Sequence, residues 1–82
     1  MTIKKHIINY LKYLENSGIF RFDTSDIQRL SDRSQKVFGK RLGSPSTYER
    51  VFRQLRQDGN LIVSKNRERG KRQSSWKIKE IK

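Results

Sequence analysis

The chain has 82 residues, 34% of them charged, with 20 Lys and Arg against 8 Asp and Glu for a formal charge of +12 at pH 7. An imbalance of that size repels itself in a compact domain and points to a polyanionic partner, either nucleic acid or an anionic membrane surface. The absence of cysteine excludes disulfides, thiol catalysis and cysteine-ligated zinc, and the longest apolar run, Leu61-Ile62-Val63, is far too short to cross a bilayer.

A single domain over residues 1–82 is expected, with a lean core, because a chain this short buries only roughly 60–65% of its unfolded surface. No apolar stretch of secretory type opens the sequence, so a soluble protein of the cytoplasm, nucleoid-associated in a prokaryotic or viral setting, is expected. The charge is uneven. Residues 1–39 hold seven basic and four acidic side chains, whereas residues 40–82 hold thirteen and four. The binding surface is therefore sought in the second half.

The first helix is predicted over about 2–16, capped by Thr2, with Ile3, Ile7, Tyr10, Leu11 and Leu14 recurring on one face. Ile8 flanks that face, Tyr13 lies off it, and Gly18 supplies a left-handed stop. The alternation in Ile19-Phe20-Arg21-Phe22 predicts a short strand with Phe20 and Phe22 on one side. The capping cluster Asp23-Thr24-Ser25-Asp26 then opens a helix over about 25–38, with Ile27, Leu30, Val37 and Phe38 as its apolar face. Its polar middle predicts a break near Ser31–Ser34. Ser44 as N-cap and Pro45 at the first helical position begin a third helix over about 45–58, whose Tyr48, Val51, Phe52 and Leu55 fall at i, i+3, i+4 and i+7. A β-hairpin over about 61–80 follows, with a charged loop at 66–72.

The order helix, short strand, helix, turn, helix, hairpin resembles the winged helix-turn-helix DNA-binding domains, and the resemblance spans Thr2 to about Ile81. Its most typical stretch runs from Ser44-Pro45-Ser46-Thr47-Tyr48-Glu49-Arg50 through Phe52, Leu55 and Asp58-Gly59 to Leu61-Ile62-Val63. The resemblance implies a mainly α fold with a small β-hairpin (α+β), three helices and a two- or three-stranded antiparallel sheet. It also implies a third helix in the DNA major groove and a hairpin loop, the wing, on an adjacent groove or on phosphates. The connection from Ser34 to Gly43 is longer than the tight turn many members use.

The residues support DNA contact on their own chemistry. Ser46, Thr47, Arg50, Arg53, Gln54 and Gln57 occupy about 120° of the third helix opposite its apolar face, with Glu49 at the margin. Arg forks onto guanine, Gln pairs with adenine, and Ser or Thr reaches phosphate or base. The N-terminus of the helix adds free N–H groups for a phosphate near Ser46 and Thr47. Lys65, Arg67, Arg69, Lys71 and Arg72 make the wing strongly basic, and Lys40 and Arg41 add flanking phosphate contacts.

The remaining chemistry-bearing residues are expected to be structural. Tyr10, Phe20, Phe22, Phe38, Tyr48, Phe52 and Trp76 are assigned to the core, and His6 to the polar side of the first helix as an isolated surface residue. Asp23, Asp26 and Asp32 are assigned to capping and solubility rather than to metal binding. No cofactor, no metal and no enzymatic activity are expected. The leading expectation is a small transcriptional regulator that binds double-stranded DNA. The alternatives are an interaction adaptor on the same fold, docking on a protein partner in the transcription machinery or on a host protein, and an RNA or single-strand binder stacking bases on Trp76 and Tyr13. Membrane binding ranks last, because the wing lacks an apolar face. A monomer and a homodimer through Ile8 and Tyr13 are both allowed.

Overall fold

The computed structural model describes residues 2–66 and 75–82. It is a small α+β domain of three helices and one three-stranded antiparallel sheet. Helix α1 spans Ile3–Asn16, strand β1 Arg21–Asp23, α2 Thr24–Phe38, α3 Pro45–Gln57, β2 Leu61–Asn66 and β3 Ser75–Ile81. No helix among the described residues is long and apolar enough to cross a membrane.

Local chemistry sets most of the boundaries. The Thr2 hydroxyl accepts the Lys5 amide at 3.2 Å at the start of α1. Asp23 and Asp26 form a reciprocal capping box at the start of α2, where Asp26 accepts the Asp23 amide at 2.9 Å. Ser44 accepts the Thr47 amide at 3.2 Å ahead of Pro45 in α3. Gly39 ends α2 in the left-handed region, with φ of 74°.

The strand order of the sheet is β1-β3-β2, so β3 is central and places Trp76 beside Phe22 on one side and Lys65 on the other. Partners across a ladder point to the same face. A register shift at Ile62/Val63 moves the pairing from Ile78 to Glu80 and skips Lys79. The irregularity answers a sequence in which Trp76 and Ile78 alternate but Ile81 is out of phase. By absorbing one residue, it lets Ile81 rejoin the face that packs on the core. That core joins Ile7, Leu11 and Leu14 of α1, Ile27 and Leu30 of α2, Tyr48, Phe52 and Leu55 of α3, and Phe22, Leu61, Trp76 and Ile78 of the sheet.

Several expectations are corrected. Helix α2 does not break at Ser31–Ser34, because both serines are fully buried and bonded. Ser34 Oγ donates to the Ser31 carbonyl at 2.7 Å and accepts the Leu42 amide at 3.0 Å, while Ser31 Oγ donates to the Gly43 carbonyl at 2.5 Å. The polar middle of the helix is thus the surface that fastens the following loop. The short strand lies at Arg21–Asp23 rather than at 19–22, and Phe20, which precedes this edge strand, is 46% exposed instead of in the core. Val37 is 65% exposed because it lines an open groove between α1 and α2, which also contains Tyr13. Tyr10 and Phe38 are only partly buried on the same side. His6 is not a surface residue. It is buried, its Nδ1 shares a 2.7 Å hydrogen bond with the Tyr48 hydroxyl, and its ring meets Phe38 and Tyr48 edge-on at 4.9 and 5.6 Å.

Candidate nucleic-acid interface

Helix α3 lies between the rest of the core and solvent. Tyr48, Phe52 and Leu55 are sealed inside, and the opposite stripe of Ser46, Arg50, Arg53, Gln54 and Gln57 is exposed. Thr47 leaves that stripe. It is half-buried, and its hydroxyl shares a 2.9 Å hydrogen bond with Ser44 within the N-cap. The marginal acid, Glu49, is half-buried and accepts from Gln28 Nε2 at 3.0 Å, which ties it to α2. Among the described residues the ion pairs are Arg29 with Asp26 and Arg41 with Asp32, so Arg50 and Arg53 face solvent without a carboxylate partner.

The flanking cations divide into two kinds. Arg41 donates to Asp32 and to Ser31 Oγ, each at 3.0 Å, and so clamps its own loop onto α2. Lys40 and Lys65 are exposed, with no hydrogen bond or ion pair among the described residues. Arg67, Arg69, Lys71 and Arg72 of the wing lie outside the described residues. The carboxylates of Asp23 and Asp26 are taken by their capping box, and among the described residues no group of three or more His, Cys, Asp or Glu could hold a metal ion.

Two residues at the site escape sequence reasoning. Arg56 is half-buried, its guanidinium carbon 4.2 Å from the Trp76 ring centroid and 4.7 Å from that of Phe52. Burial first, and the neighbouring Arg53 second, push its pKa below the ordinary guanidinium value, against an opposing pull from Glu49; it stays cationic at neutral pH. Its spacing of four from Phe52 is the signal that could have flagged one of the two stacks. His6 is the other residue, with its pKa lowered by burial and then by Arg33. By bonding to Tyr48 it links α1 to the buried face of α3.

The assembled surface is an α3 face rich in arginine and glutamine that runs into the Lys65 end of β2. Such a face can offer hydrogen-bond forks to base edges and point charges to phosphates. Compared with known protein families, curated proteins and solved structures, the chain matches none.

Proposed function

We propose that the chain is a winged helix-turn-helix protein that binds double-stranded DNA, acting as a small transcriptional regulator. The observation that carries this reading is the exposed stripe of α3, where Arg50, Arg53, Gln54 and Gln57 stand together and, among the described residues, neither arginine forms an ion pair. A merely solvated helix face is ordinarily patterned with both signs of charge, which limits self-repulsion. In the proposed complex α3 enters the major groove, Arg50, Arg53, Gln54 and Gln57 read base edges, and Ser46 and Lys40 hold phosphates. Residues 66–72 act as the wing.

Selection of bound sequences from random duplex DNA, alongside a sizing measurement of the free protein, tests the reading. Enrichment of a motif supports it, and the symmetry of that motif reports whether one or two copies bind. With six to eight phosphates neutralised, log K falls against log salt with a slope of about −5 to −7. A second reading, a protein-interaction adaptor, is favoured by the apolar groove between α1 and α2 where Tyr13 and Val37 are each 65% exposed. Failure to bind any duplex at about 50 mM salt favours the adaptor over the duplex reader.

A further inference from the structure

Where the end of α3 meets the sheet, a depression of about 280 Å³ opens beside the Trp76 ring. Arg53, Arg56 and Lys65 line it, and the carboxylate among the lining residues is Glu49, already engaged by Gln28. Trp76 is a fixed wall. It stands on the central strand, its indole Nε1 donates to Thr24 Oγ1 at 3.0 Å, and Phe52 meets it edge-on at 5.4 Å. Lys65 is its direct partner across the β2–β3 ladder, with Nζ 5.8 Å from the ring centroid.

We propose that Arg53, Arg56 and Lys65, gathered around the Trp76 ring, seat a phosphate group, and that on duplex DNA the occupant is a backbone phosphate beside the groove entered by α3. The identity of the occupant rests on the DNA-binding reading; the anion chemistry of the seat does not. The Arg56 guanidinium is held by two aromatic rings, so its donor fork is already oriented and loses little freedom on binding. Its Nε is buried without a hydrogen-bond partner. Arg53 and Arg56 repel one another across the site, and an anion between them relieves that repulsion. The partial desolvation of Arg56 also means that less hydration is stripped when the anion arrives. Among the described residues, neither Arg50 nor Lys40 stacks on an aromatic ring as Arg56 does.

Trp76 is the chain's single tryptophan, so its emission reports from the wall of the seat. The full chain is titrated with inorganic pyrophosphate and, separately, with a short random-sequence duplex, comparing the natural protein with Lys65→Gln and Glu49→Gln. The glutamine at 49 can still accept from Gln28, and position 65 is exposed, so both variants are expected to fold. Both probes change Trp76 emission. Lys65→Gln weakens binding about three- to tenfold and Glu49→Gln strengthens it by a similar factor, as for one unit charge at roughly 6 Å near a partly hydrated surface. Loss of Lys65 also makes the duplex salt slope shallower by about 0.9. Duplex binding that persists with neither variant changing affinity or slope overturns the seat and leaves the DNA reading standing. Pyrophosphate binding with both variant effects but no duplex binding keeps the seat and overturns the DNA reading. Binding of neither probe overturns both.

Discussion

Replacing Tyr48 by Phe removes one oxygen atom from a fully buried side chain and leaves its ring in place. That oxygen bonds His6 Nδ1 at 2.7 Å, joining residues 42 positions apart and fastening α1 to α3. The hydrogen bond itself is worth about 1 kcal/mol net, and leaving the buried imidazole nitrogen without a partner raises the total to roughly 1–2 kcal/mol. For a domain of this size the melting temperature then falls by roughly 6–12 °C. The test is a double-mutant cycle with His6→Phe, followed by thermal and urea unfolding. In the His6→Phe background the cost of Tyr48→Phe drops by at least half, since the imidazole that the hydroxyl bonds is already gone. Equal costs in both backgrounds would refute the linkage of α1 to α3 through this pair.

Three further outcomes follow from the same geometry. Burial, then Arg33, lowers the His6 pKa from 6.5, so between the native value and 6.5 the unfolded chain binds the extra proton. Stability is therefore full above 6.5 and declines as the pH falls through that window; melting curves from pH 7.5 to 5.5 show the decline, and it is shallower in His6→Phe. Ser31→Ala removes the donor to Gly43 and the acceptor for Arg41 in one step, at about 1–3 kcal/mol in urea unfolding, and a loss below about 0.5 kcal/mol would mean the loop is not held there. In duplex titrations Arg50→Ala makes the salt slope shallower by about 0.9, whereas Arg41→Ala leaves it unchanged because Asp32 already neutralises that guanidinium.

The elements themselves are legible in the sequence because short-range signals specify them. Ser44-Pro45, the Asp23–Asp26 cluster and the spacing of Tyr48, Val51, Phe52 and Leu55 act within one or two turns of chain. What the sequence conceals is long-range. The serines of α2 read as a weak point until the loop at 42–43 is seen to bond them. His6 reads as solvent-facing because its partner lies 42 residues away. Phe20 and Val37 read as core because apolar character does not reveal where a neighbouring element stops. In the candidate site, the outer stripe of α3 is visible from helical periodicity alone. Arg56 is not, because its place is decided by Trp76, which only the sheet brings alongside. Thr47 and Arg41 are donors by type, yet the fold engages them internally.

Base reading by Arg50 and Arg53 from the exposed face of α3 is the central claim. The most direct measurement compares affinity for a selected duplex with affinity for random duplex, in the natural chain and in the Arg50→Ala/Arg53→Ala variant at one fixed salt concentration. The preference for the selected site is expected to collapse, by about 1–3 kcal/mol for each bidentate arginine–base pairing removed, while weaker binding to random duplex persists. Undiminished preference for the selected site in the double variant would contradict the claim.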